Sequence, residues 1–194
     1  KYFCEILPQA RCVLNDNFSN VPITNDIKEI NDIPHVDIYT AGFPCQDLSI
    51  AGTKIGIKGT RSFLIDYVFK IIKKKSKSKK PDWVIIENVP NMLSLNKGEG
   101  IRYILDSLKD LGYEWAYRTV DCRTLNSPQR RPRVIVLASR QAHPKNFLFN
   151  EGSITKPFDD RLSPINDNNC YGFYWTEGRI GIGWANNAVP PIKG

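Results

Sequence analysis

Trp83-Val84-Ile85-Ile86-Glu87-Asn88-Val89-Pro90 is the stretch on which the fold turns. Its first four residues form an unbroken apolar run of strand length, which predicts a strand buried on both faces. A carboxyl group follows at once, at Glu87. Such a group at the end of a buried strand is costly unless it is paired or used. Upstream, Val36-Asp37-Ile38-Tyr39-Thr40 predicts a second strand, ended by Gly42 and Pro44. From Ser62 the apolar positions Phe63, Leu64, Tyr67, Val68, Ile71 and Ile72 recur at helical spacing. Downstream, Ile101, Ile104, Leu105, Leu108 and Leu111 form another helical stripe, stopped by Gly112. Strands alternating with helices predict an α/β domain with a mainly parallel sheet.

The pattern extends outward on both sides. Tyr2 to Ile6 predicts a short strand. Pro8 to Phe18 predicts a helix opened by proline, with Ala10, Val13 and Leu14 on one face. Tyr113 to Cys122 and Arg133 to Ser139 predict two more strands, placed to pair as a hairpin-like unit around the polar segment between them. After Arg140 the chain turns rich in Asn, Asp, Gly and Pro and shows no clear period. Between Cys45 and Thr60, Gly52, Gly56 and Gly59 mark a long loop, a feature that in compact domains is usually functional.

Bulk properties narrow the partner classes. The net charge of +7 favours a polyanionic partner. The five cysteines are odd in number and none is spaced as Cys-x-x-Cys, so zinc and a disulfide framework are not expected and free thiols in a reducing cytosol are. No apolar run reaches the length of a membrane span and no signal peptide is visible. The lysine run Lys73 to Lys80 looks like a nucleic-acid patch. It follows a helix of some 12 residues, which sets it ~18 Å from the helix start, and lysines there suit the helix dipole and a solvated face.

Three stretches carry the chemistry. Cys45 follows the strand Val36–Thr40, at the sheet end where ligands bind in open parallel sheets. Most free cysteines are small buried hydrophobes, which is the reading for Cys4, Cys12 and Cys170; at a strand end before a glycine-rich loop, a thiol instead meets a cleft. Glu87 stands at the end of a strand expected beside that one. Taken alone it is as readily a capping or ion-paired residue. Gln129-Arg130-Arg131-Pro132-Arg133 is, taken alone, a basic turn on a solvated surface.

Read together and in order, these stretches resemble the DNA (cytosine-5) methyltransferases of bacterial and phage type. Ala41-Gly42-Phe43-Pro44-Cys45-Gln46, with Ser49-Ile50-Ala51-Gly52 behind it, resembles the nucleophile loop of that family. Glu87-Asn88-Val89-Pro90 resembles its acid motif, and Gln129 to Arg133, preceded by Asp121 to Pro128, its arginine motif. The resemblance implies a Rossmann-like, S-adenosylmethionine-dependent methyltransferase fold. It implies that the Cys45 thiolate attacks carbon 6 of a flipped-out cytosine and that Glu87 hydrogen-bonds ring nitrogen 3. Arg133 would contact the flipped base or its phosphate, and Arg131 would orient the cysteine loop. Asn88 would hold that loop in place. Phe43, Pro44, Gln46, Ser62 and Gln129 fall with Asn88 on the DNA side. Glu5, Asp26, Ile27 and Pro44 fall on the cofactor side: Glu5 resembles the acid that binds the ribose hydroxyls and Asp26 the adenine contact.

The same comparison predicts a partial catalytic domain over residues 1–140 and, over 141–194, a connector leading into a target-recognition domain. The family's opening Gly-rich turn and its closing motifs are not found, and Lys1 does not read as a translation start. A fragment inactive by itself is therefore expected. Gly183-Trp184-Ala185-Asn186-Asn187-Ala188-Val189-Pro190 superficially resembles the closing motif but follows Arg133 too soon. The partner expected is double-stranded DNA, with no metal, no membrane, a monomeric state and a prokaryotic or phage-encoded cytoplasmic protein. Two rival readings use the same parts: an RNA (tRNA) cytosine-5 methyltransferase, and a non-catalytic nucleic-acid-binding module.

Overall fold

The structure is a computed structural model that describes residues 1–44, 64–125 and 129–149, and the backbone of 171–175 and 182–186. Among these residues the strands are β1 Phe3–Cys4, β2 Ile23–Thr24, β3 Ile38–Gly42, β4 Trp83–Asn88, β5 Glu114–Asp121, β6 Pro132–Ser139, β7 Tyr171–Trp175 and β8 Ile182–Asn186. The α-helices are α1 Pro8–Asn17, α2 Leu64–Lys74, α3 Glu99–Asp110 and α4 Lys145–Leu148. The central sheet has the order β3-β4-β6-β5. β3 and β4 run parallel, in register from Ile38 opposite Trp83 to Gly42 opposite Glu87. β6 is antiparallel to both β4 and β5. β1 and β2 form a separate parallel pair, and β7 and β8 an antiparallel one.

The α/β class follows from the sequence pattern, and the sheet is mixed. Its parallel half is β3–β4, whose connection carries α2. Its antiparallel half arises because β5 returns directly as β6 through a short polar connection, the hairpin-like unit expected from the sequence. Pro132 opens β6, a position in a strand that a residue lacking an N–H tolerates.

One core lies between the sheet and the helices α2 and α3. Val84 and Ile86 of β4 and Val134, Val136 and Ala138 of β6 pack with Ile65, Val68, Phe69 and Ile72 of α2 and Ile101, Ile104, Leu105 and Leu108 of α3. Gly112 ends α3 with φ 88°, a left-handed conformation that glycine adopts without strain.

Several boundaries differ from the sequence reading, each for a local reason. β4 alternates strictly between half-buried and buried residues, so it is not buried on both faces: Val84, Ile86 and Asn88 face the helices, while Trp83, Ile85 and Glu87 face the thinner side. The ladder also runs past the apolar run, so Glu87 lies within the strand rather than after it. β3 starts two residues late, because the Asp37 carbonyl accepts from the Asp82 and Trp83 amides outside the ladder. It continues through Gly42 instead of stopping before it. α1 forms as expected but buries none of its residues, and Val13 is 60% exposed. The lysine run is only partly a solvated face. Lys75 is 10% exposed, pairs with Asp32 at 2.5 Å and donates to the Ile33 carbonyl. Lys80 donates to the Leu111 carbonyl at 3.1 Å. These ammonium groups clamp backbone on either side of α2.

Candidate active site

The parallel register of β3 and β4 delivers two sequence motifs to one place. Gly42 ends β3 directly opposite Glu87. Phe43 and Pro44 continue from it and line a cleft of about 330 Å³ with Glu87, Asn88, Val89, Arg131 and Arg133. The cleft thus opens at the carboxyl ends of the two parallel strands, the general ligand position in open α/β sheets.

β4 sends its last two side chains to opposite faces, and each has a separate task. Asn88, 3% exposed, points into the covered side. Its amide nitrogen donates to the Phe43 carbonyl at 2.9 Å, and its amide oxygen accepts from the Val89 N–H at 2.9 Å. One buried side chain thereby ties the end of β3 to the end of β4. Asn88→Ala strands the Phe43 carbonyl and the Val89 amide, at a cost of about 1–3 kcal/mol for buried groups left unpaired. A urea unfolding midpoint lowered to that extent is the expected result.

Glu87 faces the cleft. Its Oε1 accepts from Arg133 Nε at 2.7 Å, with the carboxylate 42% exposed and the guanidinium 22% exposed. A partly exposed ion pair is worth about 0–1 kcal/mol. Stability therefore does not account for placing the pair here, whereas aiming a carboxyl group into the cleft does. Oε2 lies 3.4 Å from the position a Cβ would occupy at residue 42, so a side chain there would rest against that oxygen on the β3 side.

The arginines arrive through the β5–β6 connection. Antiparallel pairing sets Asp121 opposite Pro132. The Asp121 carboxylate, 17% exposed, accepts from the backbone N–H of Arg123 at 3.1 Å, the backbone N–H of Arg131 at 3.2 Å and Arg123 Nη2 at 2.8 Å. Burial by itself raises the Asp121 pKa. The guanidinium and amide donors outweigh it and hold the carboxyl below its ordinary range. Its stabilising contribution is therefore in place above the ordinary carboxylate pKa and is lost as pH falls through the lowered value. Asp121→Asn is expected to flatten that part of the acid-unfolding profile followed by circular dichroism.

Of the residues matched to the cofactor, Pro44 lines this cleft, whereas Glu5, Asp26 and Ile27 are not part of its lining. Glu5 follows β1 and Asp26 follows β2, so both stand at the carboxyl ends of adjacent parallel strands. Glu5 accepts from the Leu7 N–H at 2.8 Å, and Asp26 from the Lys28 N–H at 2.9 Å. Cys4 closes β1, immediately before Glu5. Burial and then the charges of Asp26, Glu5 and Glu29 push the Cys4 pKa up, which disfavours the thiolate. Cys4 and Cys12 are nevertheless exposed rather than buried as the sequence reading expects, since β1 is only two residues long and α1 buries none of its residues. Ile27 packs against the main core.

Of the residues singled out in the sequence, Phe43, Pro44, Glu87, Asn88, Arg131 and Arg133 come together in the cleft. Gln129 is described but is not part of its lining. Cys45, Gln46 and Ser62 lie outside the described residues. Sequence reasoning left Asp121 and Val89 without a role. Asp121 had a legible signal, an acid next to the end of the strand expected over Tyr113 to Cys122, with arginines two and ten residues on. Among the described residues, no three His, Cys, Asp or Glu side chains gather as metal ligands, and no helix is long and apolar enough to cross a membrane.

A cleft at the ends of two parallel strands, lined by an acid–arginine pair, is a ligand position of the open α/β class. Residues 2–174 match the C-5 cytosine-specific DNA methylases, and the chain belongs to that family. It is 51% identical over 191 residues to the type II methyltransferase M2.BsuMI of Bacillus subtilis strain 168, covering 98% of this chain and 49% of that protein. It is 38% identical over 143 residues to M.BsuFI of Bacillus subtilis, covering 73% and 33% of the two chains. The chain thus spans half or less of the length of these relatives. Among solved structures, the S. pombe Dnmt2 methyltransferase superposes with a TM-score of 0.59 at 18% identity, covering 79% of this chain and 48% of that one. A DNA modification methyltransferase encoded within an E. coli prophage gives 0.58 at 18% identity, covering 93% and 55%. These two likenesses establish the methyltransferase fold.

Proposed function

We propose that the protein carrying this chain methylates carbon 5 of cytosine in double-stranded DNA, using S-adenosylmethionine. The observation that carries the reading is the cleft in which Glu87, held by Arg133 at 2.7 Å, shares a lining with Phe43 and Pro44, the two residues before Cys45. Cytosine carbon 6 is inaccessible within a stacked duplex, so the base must be flipped into this cleft. The Cys45 thiolate forms a bond to carbon 6, and the displaced ring electrons move toward carbon 5 and nitrogen 3. Glu87 supplies a hydrogen bond or proton at nitrogen 3, where negative charge would otherwise build up. Carbon 5 is then nucleophilic enough to accept a methyl group. Loss of the carbon 5 proton and departure of the Cys45 sulfur restore the aromatic ring.

Glu5 and Asp26 fit the cofactor's polar parts, because two carboxylates stand at the ends of adjacent parallel strands with backbone amides already fixing their geometry. Ile27 and Pro44 would supply apolar contacts to its adenine. When bound, the sulfonium cofactor supplies an electrophilic methyl group. Gln46, Ser62 and Gln129 are assigned to the DNA side with Arg131, whose guanidinium neutralises backbone charge. Residues 1–140 form the catalytic part and 141–194 lead into target recognition. Such a protein works where DNA and cofactor meet, in the cytoplasm of a prokaryote or a phage-infected cell.

The test is incubation of the protein with methyl-labelled cofactor and separate pools of DNA and tRNA. Label in DNA, located at carbon 5 of cytosine by bisulfite sequencing, is the expected result. Label in tRNA alone would replace the substrate, and binding without any label would replace the enzyme by a binding module.

A further inference from the structure

The connection between β5 and β6 carries Arg131, with Arg133 following as the second residue of β6, and one carboxylate closes the neck of that connection. Asp121 Oδ1 accepts the backbone N–H of Arg123 at 3.1 Å and that of Arg131, ten residues further along the chain than Asp121, at 3.2 Å. Oδ2 accepts Arg123 Nη2 at 2.8 Å. The Asp121 carbonyl accepts the Thr124 hydroxyl at 2.7 Å, and the Cys122 amide reaches the Arg131 carbonyl at 3.4 Å. The ladder itself ends at Asp121 opposite Pro132, and beyond it the Asp121 side chain, with the long Cys122 backbone bond, holds the next residue of the returning chain. Arg131 is that residue, and it lines the cleft.

From this geometry we infer that Asp121 is a positioning residue: its carboxylate fixes the main chain at Arg131 and thereby aims the Arg131 guanidinium into the cleft. The inference rests on the role given to Arg131 above. A loop held only at its first strand residues swings at its neck, and a displacement of about 1 Å in a positioning group costs roughly 10²-fold in rate. Alanine at 121 removes all three accepted bonds. Asparagine keeps one acceptor but turns an N–H₂ toward either the amides or the guanidinium, so one side of the staple must open. Neither change touches Glu87, Arg133 or the β1–β2 pair.

The test is a double-mutant cycle on single-turnover methyl transfer with wild type, Asp121→Ala, Arg131→Ala and the double variant. Asp121→Ala is expected to slow transfer by roughly 10²-fold, with cofactor affinity unchanged and Asp121→Asn intermediate. The double variant is expected to be no slower than Arg131→Ala alone, because a residue acting through Arg131 has nothing left to position. A fold that merely needed Asp121 for stability would not produce that coupling. Slow single variants whose losses multiply in the double variant would overturn the inference, as would wild-type rate in Asp121→Ala. Wild-type rate in Arg131→Ala would instead overturn the role of Arg131 itself. Should Asp121→Ala not fold, the same cycle is run with Asp121→Asn, read by the same outcomes.

Discussion

Cys45→Ala is expected to abolish methyl transfer while leaving cofactor binding and folding in place. Removing the group that forms the covalent bond takes away the route itself, and losses on the order of 10⁴- to 10⁶-fold follow when an enzymic nucleophile is deleted. In the proposed reading cofactor affinity rests on other residues, chiefly Glu5 and Asp26, which follow β1 and β2. Titration calorimetry with S-adenosylmethionine should therefore give the same dissociation constant in variant and wild type, while label incorporation falls to background. Partial activity, at even a tenth of wild type, would mean that Cys45 is one of the small apolar thiols and that another nucleophile acts.

Glu87→Gln is the second large effect. Glutamine preserves shape and can still accept a hydrogen bond from Arg133, but it cannot deliver a proton or carry the charge that pairs with the guanidinium. General-acid assistance contributes roughly 10²- to 10⁴-fold, and a loss of that size in single-turnover rate is expected. Folding should hardly change, because a pair with the carboxylate 42% exposed contributes at most about 1 kcal/mol. The separation between a large kinetic loss and a small shift in the unfolding midpoint is the diagnostic. A variant with near-normal rate and strongly lowered stability would reassign the Glu87–Arg133 contact to the fold.

The contrast between Glu87 and Asn88 also shows what sequence alone reveals. An apolar strand stopped by an acid predicted β4, and the paired strand Ile38–Gly42 was legible within two residues. The register was not. That Gly42 stands opposite Glu87 depends on ladder bonds between segments some 45 positions apart, which no local pattern encodes. Strict alternation in β4 was hidden because Trp83 and Ile85 are apolar although they face the thinner side. The arginines of the cleft were recognised as a motif, whereas Asp121 was passed over: its effect lies in hydrogen bonds to main-chain amides, and any residue supplies those. Lys75 and Lys80 were read as part of a solvated run, and their contacts with the Asp32 carboxylate and the Ile33 and Leu111 carbonyls are likewise non-local. The pairing of β7 with β8 arose in a segment whose composition showed no period.

The central claim is that Cys45 attacks cytosine within the cleft formed by Phe43, Pro44, Glu87, Arg131 and Arg133. It is tested most directly by incubating the protein with S-adenosylmethionine and duplex DNA carrying 5-fluorocytosine. Fluorine at carbon 5 cannot leave as a proton does, so elimination of the enzyme is blocked and the sulfur–carbon 6 bond persists. The account predicts a denaturant-resistant protein–DNA adduct whose peptide map places the DNA on Cys45, and which is lost in Cys45→Ala. An adduct mapped to another residue, or methyl transfer to ordinary DNA with no adduct on the fluorinated duplex, would contradict it.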